Sequence, residues 1–228
     1  TKKDIAGMTA REQLDALHAS TKEFMKNQYQ TLNRSLIPQL AQNGLKLVRH
    51  HEDLTPKQAK YVDKYFEKDV YPVLTPMAVD SSRPFPLVRN KSLNIGALIY
   101  DKKKDVTDIA TVQVPSVLPR IVRLPSEEKG VTEIILLEEV IEKNLDKLFL
   151  NYDIVCAYPY RIMRNADFSI DEEETADLLK EIEKQLKQRQ WGEVIRLEVD
   201  EAMDKKLLKE LKKHLGVDDE VVYKINGP

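Results

Sequence analysis

The hydrophobic period of this 228-residue chain changes once, near Pro72, and that change limits the fold more than any other feature. Upstream the period is helical. Leu14, Leu17, Phe24, Leu32, Leu36 and Leu40, with Thr21 and Gln28 filling the spacing, alternate by threes and fours and predict one face of a long helix. Thr9-Ala10-Arg11-Glu12 is a capping box at its start. Pro38 is expected to kink the helix or end it early, and Gly44 to stop it. A second helix is predicted from Thr55-Pro56-Lys57-Gln58, with Ala59, Val62, Phe66 and Val70 as its buried stripe, Tyr65 beside it and Pro72 closing it. The first helix would be about 50 Å long and the second about half that. Two helices of unequal length make a poor core, so a third is expected from upstream of Thr1 or from another chain.

Downstream the period is that of strands. Leu93–Tyr100, Ile109–Val114, Arg120–Leu124, Glu133–Leu137 and Ile154–Tyr158 read as strands, the last running on toward Met163. A helix follows the fourth of these through Val140, Ile141, Leu145 and Leu148. Ser169-Ile170-Asp171-Glu172 caps another helix, with Ala176, Leu179, Ile182 and Leu186 on its buried face and Gly192 as its stop. Val194–Val199, a helix over Met203–Leu215 and a final strand Val221–Ile225 complete the order β-β-β-β-α-β-α-β-α-β. The predicted class is α+β: a helical hairpin, part of a bundle, over residues 1–72, then a mixed β-sheet domain with helices packed against it over 73–228.

Composition narrows the function classes. A net charge of -2 gives the molecule as a whole no preference for nucleic acid or an anionic membrane. Charge is uneven, however: residues 1–72 carry +3, residues 73–125 carry +4 and residues 126–228 carry -9. No apolar run is long enough for a transmembrane helix, and no signal-peptide core follows the N-terminus, so a cytoplasmic location is expected. Cys156 is the single cysteine, which excludes an internal disulfide and a cysteine zinc site. The opening at Thr1, without an initiator methionine, is expected of a fragment or a processed chain.

No self-contained active site is legible. None of the seven glycines is followed by lysine, and no G-x-G-x-x-G occurs, so phosphate-cradling loops of those kinds are excluded. His18 and His214 read as surface residues of charged helices, and His50-His51 as part of a loop without a third metal ligand at a supporting spacing. The acidic run Glu172-Glu173-Glu174 reads as charge complementing a helix start. The predicted catalytic and metal sets are therefore empty. Arginine is more suggestive, because its planar fork suits phosphate. Arg83, Arg120, Arg161 and Arg164 are the candidate polyanion-binding residues: Arg83 lies in a Pro-rich loop, and Arg161 and Arg164 leave a strand end before a turn. Arg189 and Arg196 read as salt-bridge partners of the abundant glutamates.

Leu74-Thr75-Pro76-Met77-Ala78-Val79-Asp80-Ser81-Ser82-Arg83-Pro84-Phe85-Pro86 resembles bacterial polyphosphate kinase of the histidine-phosphorylating type. The resemblance continues through Asn90-Lys91-Ser92-Leu93-Asn94, where the family usually has Leu in place of Lys91. It extends to Val112-Gln113-Val114-Pro115, Leu118-Pro119-Arg120, Leu124-Pro125, Arg161–Asp167 with Asp171–Glu174, Arg196–Val199 and Gly227-Pro228. It implies an enzyme that reversibly transfers the ATP terminal phosphate to polyphosphate through a phosphohistidine, with magnesium. It also implies a helical N-terminal domain, a head domain, and C-terminal catalytic domains that would begin after Pro228. No catalytic residue of the family falls on this sequence, and neither ATP nor Mg is expected to be held by this part alone. Its implied role is scaffolding, dimerisation in a homo-oligomer, and lining of a polyanion path; alone it is expected to be inactive. The alternative is a free-standing α+β module binding RNA or another anionic partner, with Tyr158, Tyr160 and Phe168 beside Arg161 and Arg164 as the stacking residues.

Overall fold

The computed structural model describes residues 3–79, 84–165 and 192–227. The capping box forms as predicted: the Thr9 backbone N–H donates to Glu12 Oε2 at 2.7 Å and the Glu12 N–H to Thr9 Oγ1 at 3.3 Å. Helix α1 runs Ala10–Thr31, continues through a π-helical turn at Leu32–Leu36, and ends as α2 over Ile37–Gln42. Pro38 does not end it early. A proline lacks the N–H that an α-helical interior requires, and the wider turn before it, closed by the Ile37 N–H on the Leu32 carbonyl, carries the helix past that gap.

Gly44 stops the helix at φ +84°, and a Cβ there would lie 2.9 Å from the Gly130 carbonyl oxygen. The close approach sets up a strand the periodicity did not reveal. Strand β1, Leu45–Val48, pairs in parallel with the strand at Thr132–Leu136, which becomes β6. The order between them is α3 (Pro56–Tyr65), β2 (Pro76–Val79), β3 (Leu93–Asp101), β4 (Val106–Gln113) and β5 (Ile121–Leu124). After β6 come α4 (Leu137–Lys143), α5 (Leu145–Leu148), β7 (Asp153–Arg164), β8 (Val194–Asp200), α6 (Lys205–Leu215) and β9 (Val222–Ile225). One sheet has the order β1-β6-β5 and the other β2-β4-β3-β7-β8-β9; β1–β6 and β8–β9 are parallel pairs and the rest antiparallel, so both sheets are mixed. The α+β class stands. The helix predicted over Ala176–Leu186 lies outside the described residues.

The second helix does not pack as a hairpin arm. Its stripe, Val62 with Phe66 and Val70 from the π-helical turn Phe66–Val70 that continues α3, joins one core with Ile95, Ala97 and Ile99 of β3, Val112 of β4, Val122 and Leu124 of β5, and Leu137, Val140 and Ile141 of α4. Burial of each large member stabilises the fold by about 1.5–3 kcal/mol, and the larger sheets offer more surface than one neighbouring helix. A second core lies on the other face of the six-stranded sheet, where Leu98, Tyr160, Ile162 and Leu197 meet Leu207 and Leu211 of α6. The alternation of β3 between these cores follows from the two-residue period of a strand. The long helix leans on β9 through Met25 and Tyr29 against Tyr223 and Ile225. Its predicted stripe faces outward: Leu17 is 63% and Phe24 62% exposed, with Leu14, Leu36 and Leu40 also exposed. Among the described residues no helix is long and apolar enough to cross a membrane.

Candidate anion-binding cleft

A cleft of about 910 Å³ lies between the long helix and the two sheets. Tyr29 comes from the helix, Arg49 to Glu52 from the segment after β1, Arg120 from the residue before β5, Glu138 from α4, and Arg161 and Glu198 from the large sheet. Strand register brings these groups together. Ile121 of β5 pairs with Leu136 of β6, and the Leu137 N–H donates to the Arg120 carbonyl at 2.8 Å, so Arg120 meets Glu138 across the strand ends. Its Nε donates to Glu138 Oε1 at 3.0 Å and to Oε2 at 3.2 Å. In the large sheet Arg161 is the register partner of Glu198, and its Nε donates to Glu198 Oε2 at 2.6 Å.

Both pairs have the same asymmetry. The Glu138 and Glu198 side chains are 5% and 8% exposed, while Arg120 and Arg161 are 49% and 48% exposed. Each buried carboxylate fixes one edge of a guanidinium and leaves the remaining donors toward the cleft. The bond to Glu138 raises the pKa of Arg120. Tyr29 stands in the same field: burial, and then Glu198, push its hydroxyl upward, against Arg161, Arg120 and Arg196. Arg49 lines the cleft and donates to Asn33 Oδ1 of the long helix, while Asn33 donates to the Asn226 carbonyl at 2.6 Å. Lys91 also lines it, held at φ +62° with its N–H on the Ile162 carbonyl at 2.9 Å.

The four predicted arginines therefore divide. Arg120 and Arg161 share the cleft; Arg83 lies outside the described residues. Arg164 is directed elsewhere: its Nε donates to the Val88 carbonyl at 3.2 Å and its guanidinium to the Gly192 carbonyl at 2.8 Å. These two bonds tie the segment at Val88 to that at Gly192, and desolvation lowers the Arg164 pKa. Arg189 lies outside the described residues. Arg196 is ion-paired to Glu198, as read from the sequence, and also lies 4.5 Å from the Tyr223 ring centroid. Arg49 and Lys91 escaped sequence reasoning; only the fold brings them beside Arg120 and Arg161.

The same cleft also carries an acidic group, beginning at Glu139, the residue after the Arg120 partner Glu138. Strands β1 and β6 run parallel with Val48 opposite Ile135, so the residues after one strand face those after the other. The His51 N–H donates to Glu139 Oε2 at 2.9 Å, and His51 Nδ1 lies 3.1 Å from the same oxygen. His50 Nδ1 is 3.7 Å from Glu139 Oε1, and His51 Nε2 is 3.5 Å from Glu52 Oε1. His50, Glu52 and Glu139 present ligand atoms all within 4.8 Å of one another. The sequence offered no third ligand at a supporting spacing beside His50-His51; the fold brings Glu139 to them. Glu142 follows Glu139 by three residues on α4 and also lines the cleft. Its Oε1 is buried without a hydrogen-bond partner among the described residues. Burial, then Glu139 and Glu138, push its carboxyl well above the usual range.

The remaining histidines are engaged. His18 Nδ1 is 2.7 Å from the Tyr223 hydroxyl, and His214 stacks on Phe85 with centroids 4.9 Å apart. Of the expected stacking aromatics, Tyr160 is fully buried, with its hydroxyl 2.8 Å from Thr111 Oγ1, so its face is closed to a base. Phe168 lies outside the described residues.

Comparison with known proteins agrees with the sequence motifs. The family model described as the polyphosphate kinase middle domain matches residues 57–228, and that of the polyphosphate kinase N-terminal domain matches residues 1–48. The chain is 47% identical to the polyphosphate kinase of Lactiplantibacillus plantarum over 100% of its own length and 31% of that relative. It is 43% identical to the polyphosphate kinase of Bacillus anthracis over 98% of its length and 32% of that relative. It thus spans about a third of the curated relatives it matches. The crystal structure of polyphosphate kinase from Porphyromonas gingivalis superposes with a TM-score of 0.76 at 21% identity, covering 94% of this chain and 30% of that one; at that identity the likeness is one of fold.

Proposed function

The chain belongs to the polyphosphate kinase family, and we propose that it is the non-catalytic scaffolding part of a cytoplasmic enzyme whose cleft lines a path for polyphosphate. In this reading the whole enzyme transfers the terminal phosphate of ATP reversibly to polyphosphate through a phosphohistidine, with magnesium, and assembles as a homo-oligomer through the exposed stripe of the long helix. The carrying observation is that Arg120, just before β5, and Arg161, on β7, bring half-exposed side chains to one cleft on buried carboxylate anchors. A guanidinium fixed in this way loses little further freedom on meeting a phosphate. Arg49 and Lys91 add cationic donors along the same cleft.

The described residues do not fit a nucleotide or magnesium site of the familiar phosphate-loop kind, since no glycine-lysine loop occurs in the sequence. No phosphoryl-transfer step is derived from this chain; its residues bind and orient. The test is titration of the chain with fluorescent polyphosphate at low and moderate salt. Arg161→Lys keeps the charge and loses the fork, and should weaken binding about fivefold or more. Wild-type binding that is absent, or that Arg161→Lys and Arg120→Lys leave unchanged, would defeat the proposal.

A further inference from the structure

The acidic group in the cleft supports a reading independent of polyphosphate. We propose that His50, Glu52 and Glu139 form a binding site for a divalent transition-metal ion of the zinc class, with His51 as the residue that positions Glu139. Three observations converge. The first is the donor set: one imidazole and two carboxylates with ligand atoms within 4.8 Å of one another. Ligands about 2.0–2.2 Å from a common ion lie roughly 3–4.4 Å apart, so small side-chain rotations close the set. Those rotations are available, because the His50 and Glu52 side chains are 66% and 71% exposed.

The second is the support of the least mobile ligand. Glu139, 14% exposed, receives the His51 backbone N–H at 2.9 Å, and its Oε2 lies 3.1 Å from His51 Nδ1, while the other ring nitrogen lies 3.5 Å from Glu52. Held from both the backbone and the ring of His51, the Glu139 carboxylate keeps its orientation, as outer groups ensure at metal centres. The third comes from a residue outside the trio. Glu142 Oε1 is buried, unpartnered among the described residues and on the wall of the same cleft. A buried carboxylate oxygen without a donor is costly. A cation beside Glu139, three residues away on the same helix face, supplies the missing positive charge. Imidazole with carboxylate favours zinc, cobalt or manganese over magnesium, which prefers oxygen and water.

The site also follows from the fold. Only the parallel β1–β6 pairing lays residues 50–52 beside Glu139, and Gly44 makes that pairing possible. The experiment is calorimetric titration of the metal-stripped chain with ZnCl2 and, separately, MgCl2. One equivalent of Zn2+ should bind, with Mg2+ at least tenfold weaker. His50→Ala should weaken Zn2+ at least tenfold while the thermal midpoint in EDTA stays within about 2 °C, since that side chain is mostly exposed. Glu139→Gln should weaken it as much; should that variant fail to fold, Glu52→Gln takes its place. No saturable Zn2+ binding by the wild type, or a loss of less than threefold in His50→Ala, overturns the site.

Discussion

Removing the Arg120 side chain tests how the cleft is built. In Arg120→Ala the Glu138 carboxylate, 5% exposed, loses the hydrogen bonds from Nε at 3.0 and 3.2 Å. Breaking a buried ion pair from one side costs about 3–5 kcal/mol, because the remaining charge is left uncompensated. Arg120 is 49% exposed, so water already screens part of the attraction and will reach part of the vacated space. The expected loss is therefore about 2–3 kcal/mol. For a chain of this size that lowers the thermal midpoint by about 4–12 °C. Adding Glu138→Gln removes the stranded charge, and the double variant should recover at least half the loss. Differential scanning calorimetry of wild type, both single variants and the double variant closes the cycle. A single-variant shift below about 2 °C, or a double variant no more stable than Arg120→Ala, would refute the anchored-arginine argument.

Phe66→Ala should cost about 3–5 kcal/mol, because Phe66 is fully buried in the core between the sheets, whereas Phe24→Ala, on the exposed stripe, should change monomer stability by less than about 0.5 kcal/mol; urea unfolding separates the two. Gly44→Ala should destabilise by more than about 1 kcal/mol, since φ +84° and the Gly130 carbonyl at 2.9 Å both oppose a Cβ, and hydrogen exchange at Thr132, whose N–H donates to the Gly44 carbonyl at 2.8 Å, should rise. Limited proteolysis should release a stable fragment beginning in residues 49–55, between β1 and α3, because the α3 stripe is part of the sheet core; a stable fragment beginning near residue 73 would contradict that packing.

The parts legible in the sequence are those whose signal is local. The Thr9 capping box, the α3 stripe and the β3 and β4 strands depend on residues within one turn or one strand, and each forms where the period puts it. Strand β1 was hidden because four residues after a helix stop give too short a run to show a period. Strand β2 was hidden inside a Pro-rich segment, where proline argues against a strand except at an edge, and β2 is the edge of its sheet. The leucine stripe of α1 stays exposed in the single chain, while Met25 and Tyr29, outside it, make the contacts with β9. Arg161 and Arg164 could have been separated from sequence alone. Three positions apart on one strand, they point to opposite faces, one toward Glu198 and the other toward Val88 and Gly192. The His51–Glu139 contact spans 88 positions and depends on a parallel register that no local pattern encodes.

The mixed charge of the cleft imposes a condition on any polyanion that enters it. Arg49, Lys91, Arg120 and Arg161 attract it, but Glu52, Glu139, Asp200 and Glu201 line the same cavity, and Glu138 and Glu198 already neutralise two of the arginines. Without a cation at the acidic group, a chain of phosphates meets repulsion as well as attraction. A single carboxylate about 10 Å from a phosphate charge in a water-like dielectric opposes it by about 0.4 kcal/mol, or roughly a factor of two. Glu52 is mostly exposed, so Glu52→Gln removes that charge without disturbing the core. In EDTA, at low salt, Glu52→Gln should therefore tighten polyphosphate binding about twofold, and the gain should vanish as the Debye length falls to roughly 3 Å near 1 M salt. Fluorescence anisotropy with a labelled polyphosphate measures both. Unchanged or weaker binding at low salt would mean that the polyanion does not pass near Glu52, and that its path is confined to the part of the cleft carrying Arg120 and Arg161.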